Sequence, residues 1–253
     1  LNASGVGTIA TLNVTGNATI DGNANIGGVL TYEDVTNVDS VGVVTARGLN
    51  IIGNTTGLNA GVSTFTADIA VNSVTIGKGA SSNTGNTVVG ETALDAVTTG
   101  THNTAVGKDA LTANTTGSHN VAVGSQALDA NTTGNYNFAL GKDALGANTT
   151  GSVNIAIGNA LTSNTSGESN IAVGSNSLGD NTTGDANTAV GRQALGDNTT
   201  ADNNTAVGYN ALFKNTTGTQ NTALGANSGK AQTTADNCTW IGNDAGLVNT
   251  ASN

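Results

Sequence analysis

Proline and methionine are absent from this chain of 253 residues, and aromatic residues are scarce, with one tryptophan, three tyrosines and three phenylalanines. Charged residues make up only 9% of the sequence, whereas there are 36 glycines. This composition excludes the large aromatic and aliphatic core of an ordinary globular domain. The single cysteine, Cys238, permits no disulfide within the chain, and we expect it to be a small buried residue beside Trp240.

Positive charge is equally scarce. Seven basic residues are scattered singly along the chain, and the formal net charge is −10. Because no basic face can form, we expect no nucleic-acid binding. No apolar run approaches the roughly 20 residues that cross a bilayer, so we also expect no membrane insertion.

What the chain does contain is a repeat, which runs from Asn86 to about Gly225. Each copy reads Asn-x-Ala-Val-Gly, two variable residues, Ala-Leu, two variable residues, Asn-Thr-Thr-Gly and two variable residues. The glycine that closes the first half recurs at every seventeenth position, except that Gly158 and Gly174 are one position closer together. These glycines are Gly90, Gly107, Gly124, Gly141, Gly158, Gly174, Gly191, Gly208, Gly225 and Gly242.

A period this short is typical of a β-solenoid in which each repeat forms one coil. We predict two short strands per coil: one of the type Thr104-Ala105-Val106, with alanine facing inward, and a second centred on Ala110-Leu111. Asn114-Thr115-Thr116-Gly117 and its copies are predicted to be turns in which asparagine and glycine adopt left-handed backbone.

Stacked coils place equivalent residues in columns about 4.8 Å apart. We predict three structural ladders, in which leucines fill the interior, asparagine amides bond from coil to coil and glycines line the corner. Representative members are Leu111, Leu128, Leu145 and Leu161; Asn103, Asn120, Asn137 and Asn154; and Gly107, Gly124, Gly141 and Gly158.

The chain is predicted to have four parts. Residues 1–29 are expected to form a β-rich stem, because glycine recurs there at every sixth position, at Gly16, Gly22 and Gly28. Residues 30–73 form a junction or small β module, and residues 74–225 form a ten-coil β-roll repeat region that starts with an irregular first coil at Val74–Gly77. Residues 226–253 form a terminal coil and a cap or neck. Each coil offers so little apolar area that packing against two identical chains is expected, which predicts a homotrimer.

The repeat unit, for instance Asn204 to Gly218, resembles the head repeats of trimeric autotransporter adhesins of the YadA type. It is still more similar to the longer-period version found in phage tail-fibre proteins. Separately, residues 30–47 resemble a module of fibre-like virion proteins of marine cyanobacterial phages. The resemblance implies a left-handed parallel β-roll trimer used for adhesion. Together with the strands and the stem predicted above, the expected fold is all-β, a parallel β-solenoid in a homotrimeric fibre with an N-terminal β stem.

Few residues in the repeat are suited to chemistry. His102 and His119 are equivalent positions one coil apart, and we interpret them as an exposed ladder and not as a catalytic or metal pair. Asp180 and Asp197 are also aligned one coil apart, as in a retaining glycosidase, but no aromatic platform accompanies them. We therefore expect no catalytic residue, no metal site, no cofactor and no enzymatic activity.

The sequence thus predicts a structural fibre protein of a virion, a tail or appendage fibre that provides reach and multivalent attachment to a host surface. Expected partners are two identical chains, other virion fibre or baseplate proteins, and a host cell-surface glycan or protein receptor. The expected location is the virion; the alternatives are a bacterial surface adhesin on the cell surface and an ice-binding β-solenoid. Candidate surface contacts are the aromatic and histidine residues at variable positions, Tyr136, His119, Tyr209 and Phe213.

Overall fold

The computed structural model describes residues 69–71, 74–80 and 83–247. All of them belong to the second of two compact units into which the chain divides, Gly61–Asn253. The predicted stem and most of the predicted junction, residues 1–68, lie outside the described residues, as do residues 72–73, 81–82 and 248–253.

The described residues form twelve short strands in one sheet, in which every strand lies next to its neighbours in sequence. From β3 to β12 all pairings are parallel, and each strand residue pairs with the equivalent residue of the next repeat. This register is kept between β7 and β8, although the repeat there is one residue shorter. The prediction of an all-β parallel solenoid is therefore confirmed, with nine coils between ten stacked strands. The strands are β1 (Ile69–Val71), β2 (Val74–Gly77), β3 (Thr87–Gly90), β4 (Thr104–Val106), β5 (Val121–Val123), β6 (Phe138–Leu140), β7 (Ile155–Ile157), β8 (Ile171–Val173), β9 (Thr188–Val190), β10 (Thr205–Val207), β11 (Thr222–Leu224) and β12 (Thr239–Ile241).

The start of the stack differs from the prediction. β2 pairs antiparallel with β3, and β1 pairs antiparallel with β2. Val74–Gly77 is therefore not an irregular first coil. It belongs to an antiparallel segment that covers the exposed edge of the first coil, which satisfies backbone groups that a parallel stack leaves unpaired there.

The prediction of a second strand in each coil is wrong. Residues around Ala110 and Leu111 form a turn, and Leu111 has a left-handed backbone with φ of 53°. All eight leucines of this column share that conformation, which is uncommon for a residue with a branched side chain. Their amides instead bond directly to the next coil, as Leu111 N does to Ala127 O at 3.0 Å. The left-handed turn points the side chain into the core, where Leu111 is fully buried.

The interior consists of columns of small and medium side chains. Every leucine of the left-handed column, from Leu94 to Leu212, is fully buried, and the central alanine of each strand from Ala105 to Ala223 is buried beside it. The outer two residues of each strand alternate with that alanine and face away from the core. The hydrophobic core is therefore narrow, in agreement with the sparse apolar composition.

Two asparagine ladders join the coils. In the predicted ladder, the backbone N–H of Asn120 donates to Oδ1 of Asn103 at 3.0 Å, and Nδ2 of Asn103 donates to the Gly117 carbonyl at 2.9 Å. The second ladder was not predicted and uses the asparagines of the Asn-Thr-Thr turns: Nδ2 of Asn131 donates to Oδ1 of Asn114 at 2.8 Å and to Gly134 O at 3.1 Å. Buried amides in both ladders are thus paired within their own coil and with the adjoining coil, except Oδ1 of Asn215 at the end of the second ladder, which has no hydrogen-bond partner.

The turn chemistry predicted for Asn-Thr-Thr-Gly is also wrong. Neither Asn114 nor Gly117 has left-handed backbone. Glycine is favoured there because a Cβ on Gly117 would lie 2.4 Å from Gly134 O. The column is not restricted to glycine, since alanine occupies the equivalent position at Ala201. Apart from glycines, the left-handed positions fall in three columns: the leucines, the residue two positions before each leucine, such as Asp109 with φ of 58°, and the residue before each predicted-ladder asparagine, such as His119 with φ of 61°.

One coil is shorter than the others by a single residue, which is missing between Asn159 and Ala160. In the neighbouring coils, that position donates its N–H to the preceding coil, as Asp143 N does to Ser125 O at 3.1 Å. Here the side-chain amide of Asn159 donates to Lys142 O at 3.4 Å in its place. Parallel pairing on both sides of the shortened corner is retained.

Trp240 closes the leucine column. It occupies the position of the central strand alanine, while Gly229 and Gly246 occupy the next two leucine positions. A Cβ on Gly229 would lie 2.9 Å from the indole, and a Cβ on Gly246 would lie 2.3 Å from it. The indole therefore fills the space of the missing leucine side chains and packs against the core.

Replacing Leu145 with aspartate tests the core column. Leu145 is fully buried among apolar residues, so the carboxylate has no partner and the variant should lose about 3 kcal/mol or more of stability. The measurement is the thermal unfolding transition followed by circular dichroism. Thr150→Asp places the same charge at an exposed position of the same coil and should unfold like the parent. A Leu145→Asp variant with the parent's transition would contradict the coil arrangement.

Gly124→Ala tests the glycine corner. Gly124 has φ of 140°, and a Cβ there would lie 2.3 Å from the Gly141 carbonyl oxygen. Since both the backbone angle and the adjoining coil resist a side chain, we expect a loss of about 2 kcal/mol or more in chemical denaturation. The control is Gly146→Ala, where the nearest atom would be 3.3 Å away and no left-handed backbone is required. Equal effects of the two substitutions would refute the close approach of the coils at this corner.

Candidate functional site

An exposed feature that runs along the whole parallel stack is the outer sheet face, defined here as the first and third residues of strands β3 to β12. These residues point away from the core, and many large apolar members are exposed by 36% or more, for example Phe138, Leu140 and Ile155. Monomeric proteins rarely leave contiguous apolar surface of this extent uncovered. The outer sheet face is therefore a candidate interaction surface.

The two columns of this face differ in composition. The third position of all ten strands is aliphatic: Val89, Val106, Val123, Leu140, Ile157, Val173, Val190, Val207, Leu224 and Ile241. The first position is apolar only in the four central strands, and it is threonine in the others: Thr87, Thr104, Thr188, Thr205, Thr222 and Thr239. One uninterrupted aliphatic column consequently runs along the stack, and its neighbour is most apolar in the middle.

Threonine columns bear on the ice-binding alternative. Thr115 and its equivalents in the turns donate their hydroxyls to the next coil, as Thr115 Oγ1 does to Thr132 O at 3.1 Å. The threonines that face outward on strands lie instead in the first column of the outer sheet face. That column is interrupted by Val121, Phe138, Ile155 and Ile171, which breaks the regular hydroxyl spacing along the face.

A second surface feature lies at the corner two residues before this face. The rings of His102 and His119 are parallel, with centroids 4.9 Å apart, and the ring of Tyr136 stacks on His119 at 4.8 Å with an interplanar angle of 1°. These three residues, together called the ring column, occupy equivalent positions with left-handed backbone. The structure thus brings together two of the predicted surface contacts, His119 and Tyr136.

Equivalent nitrogens of the two stacked histidines are too far apart to bind one zinc ion in this geometry. Two imidazole nitrogens bound to one zinc ion at about 2.0–2.1 Å cannot lie more than about 4.2 Å apart, whereas parallel rings hold equivalent atoms of His102 and His119 near the 4.9 Å ring spacing. Among the residues that the structure describes, no group of three or more histidine, cysteine, aspartate or glutamate side chains could hold a metal ion.

The other two predicted contacts lie elsewhere on the coil. Tyr209 follows the corner glycine Gly208, and the guanidinium of Arg192 lies 5.7 Å from its ring centroid. Phe213 covers Gly196, and Lys214 Nζ lies 4.9 Å from the centroid of its ring. Neither residue belongs to the ring column or to the outer sheet face.

Of the two carboxylates considered in the sequence, Asp180 is exposed and Asp197 makes a contact between coils. Asp197 accepts from Lys214 Nζ at 3.1 Å. Another acidic column, formed by Glu168, Asp185 and Asp202, lies beside the continuation of the ring column. There, Asp185 Oδ1 accepts the Glu168 backbone N–H at 2.7 Å, and Asp202 Oδ1 accepts that of Asp185 at 2.7 Å.

Cys238 is half-buried and takes the place of an asparagine in the predicted ladder. Its backbone N–H donates to Asn221 Oδ1 at 3.0 Å, while its Sγ lies 3.2 Å from Asp236 O. The Asn-x-Thr triplets of the turns begin with asparagines such as Asn114 that are fully buried and hydrogen-bonded, so the folded chain does not present them for glycosylation.

The chain matches no protein-family model, no curated protein and no solved structure. In the described part of the chain, a helix with the length and apolarity needed to cross a bilayer is not found.

Asp129 supplies a pH-dependent test of the surface electrostatics. Burial raises the pKa of its carboxyl, and the nearby Asp143 and Asp109 charges raise it further, against backbone hydrogen bonds that lower it. A raised folded-state pKa favours the folded chain at low pH, and this stability is lost as the pH rises through that pKa. We therefore expect Asp129→Asn to unfold at a higher temperature than the parent at pH 7 and at the same temperature at about pH 3. A higher parent stability at pH 7 would contradict the assigned direction.

Proposed function

We propose that the chain is the rod segment of a non-enzymatic fibre, a tail or appendage fibre of a virion that contributes reach and attachment to a host surface. The observation that carries this proposal is the uninterrupted aliphatic column of the outer sheet face, which extends over ten strands. A solitary chain would expose this column to water along the whole stack, at a cost of about 25 cal/mol for each Å² of apolar surface.

The occupant that we propose for this face is a second and third copy of the same chain. An aliphatic column with one residue in each coil packs best against another column with the same spacing. In a closed threefold arrangement, the columns of three chains cover one another. The resulting homotrimer would be a left-handed β-roll fibre, with the coil axes along the fibre. The similarity of the repeat to YadA-type heads and phage tail fibres supports this assignment.

A stack of coils is well suited to act as a spacer, because it is stabilised by contacts between adjacent coils. Each coil bonds only to its two neighbours, so coils can be added without altering the rest of the stack. Three parallel copies would also present every surface feature three times, which raises the avidity of weak contacts with a host glycan or protein receptor. Attachment to other fibre or baseplate proteins is part of the same proposal.

The decisive experiment is the molar mass of the purified chain by light scattering, before and after mild heating in detergent. We expect three times the chain mass of 24.6 kDa, retained in detergent. Ile155→Asp, on the outer sheet face, should dissociate the assembly, since it places a charge within the apolar contact. Thr183→Asp, at an exposed turn position, is the matched control and should leave the mass unchanged.

A parent chain that is monomeric at micromolar concentration, or an Ile155→Asp variant with the parent's mass, would overturn the fibre proposal. In the monomeric case, an ice surface or a repetitive polymer becomes the alternative partner. Thermal hysteresis measured on the same sample would then test ice binding directly.

A further inference from the structure

The ring column ends abruptly at Tyr136. The next equivalent residue along the stack is Val153, followed by Ser169 and Ala186. At the opposite end, a Cβ on Gly85 would lie 2.7 Å from the His102 ring, so the column is closed there by backbone. One face of the Tyr136 ring is therefore stacked on His119, and the opposite face is directed toward a coil that has no ring at the equivalent position.

Exposure indicates that this second face of Tyr136 is open. Tyr136 is 61% exposed, although His119 covers one face of its ring, and Val153 is 53% exposed. A valine side chain ends one carbon beyond Cβ, so it reaches the inner edge of the tyrosine ring and leaves the outer half uncovered. The resulting ledge, formed by Tyr136, Val153 and Ser169, is called the Tyr136 step.

The surroundings of the Tyr136 step are polar on one side and apolar on the other. Ser152 and the exposed carboxylate of Glu168 precede Val153 and Ser169 in the chain, and Asp185 continues the acidic column. On the other side lie Phe138 and Ile155, both on the outer sheet face. An open aromatic face next to a few oxygen acceptors is the arrangement that binds a flat, amphipathic ring.

We propose that the Tyr136 step binds one pyranose unit of a glycan. The apolar C–H face of the sugar stacks on Tyr136 at the ring spacing that the column already sets, near 4.8 Å. Its hydroxyl groups then lie at the level of the Val153 coil. There they can donate to the Glu168 carboxylate of the next coil and to the remaining lone pair of Ser152 Oγ, which also accepts the Asn135 backbone N–H at 3.0 Å. Because the flank is acidic, neutral and amino sugars are accepted, whereas a uronic acid meets like charge.

The role of this site as a host contact rests on the proposed fibre function, but binding of the sugar does not. A single site of this size is weak, with a Kd of about 1–10 mM, and a trimer would repeat it three times around the rod. The competing explanation for the exposed ring is that a second copy of the chain covers Tyr136 in the assembly.

Fluorine NMR can test the assignment, because the chain contains only three tyrosines. The protein is labelled with 3-fluorotyrosine, and the Tyr136 and Tyr209 signals are assigned with Tyr136→Phe and Tyr209→Phe variants. Glucosamine, methyl β-D-galactopyranoside, methyl β-D-glucopyranoside and glucuronate are titrated separately. We expect saturable shifts of the Tyr136 signal with at least one of the first three sugars, no shift with glucuronate, and a stationary Tyr209 signal.

Val153→Phe is the matched variant, since it adds a fourth ring to the column and fills the step without removing Tyr136. It should abolish the sugar-dependent shift while retaining the parent's unfolding temperature. The proposal is overturned if the Tyr136 signal does not move with any of the three sugars up to about 100 mM, well above the expected Kd, or if Val153→Phe retains the same shift.

Light scattering on Tyr136→Ala separates the sugar site from the assembly. An unchanged mass is expected, and a loss of assembly would assign Tyr136 to an interface between copies and overturn the sugar site. Conversely, a monomeric parent that still shows the saturable Tyr136 shift would retain the sugar site and reject the fibre.

Discussion

Hydrogen bonding between coils is the interaction on which the whole stack depends. Each coil has too few apolar atoms to fold by itself, and its strand is very short, as in Thr104–Val106. Backbone groups in the turns as well as in the strands therefore pair with an adjoining coil, as Leu111 N does with Ala127 O and His119 N with Thr101 O. These bonds require the same backbone conformation at the same position of every coil. That requirement explains why the repeat tolerates so little variation and why uncommon left-handed conformations recur in it.

The parallel solenoid, the inward-facing strand alanines and the leucine column could be predicted because stacking converts the period of the repeat directly into columns. The turn between strand and leucine could not, since Ala-Leu is compatible with a strand and nothing in the propensity of leucine indicates positive φ. Likewise, the sequence predicted that the asparagines of the Asn-Thr-Thr turns adopt left-handed backbone, which they do not. Their role in a buried amide ladder depends on the distance between coils, which only the folded arrangement reveals.

The sequence places candidate surface residues together only where they share a column of the repeat. His119 and Tyr136 are one repeat apart, and their rings stack; Tyr209 and Phe213 occupy other positions of the coil and lie on other parts of the surface. The outer sheet face was missed as a surface, although the alternation in Thr104-Ala105-Val106 contained its signal. The turn threonines are more conspicuous in the sequence, but hydroxyls such as that of Thr115 are engaged between coils. Half of the Tyr136 ring is open because Val153, the equivalent residue of the next coil, is smaller than the ring. This becomes apparent only when the coils are stacked.

Because Trp240 and two glycines close the stack by themselves, the number of coils can change without a change in the closure. The indole and the space at Gly229 and Gly246 form a self-contained closure, which meets the preceding leucine column at Leu212. Whole coils can therefore be gained or lost upstream by unequal recombination between near-identical repeats, and the same closure will still fit the last leucine. A lineage could in this way vary the length of the stack in increments of one coil, about 4.8 Å each, without a compensating change at this closure.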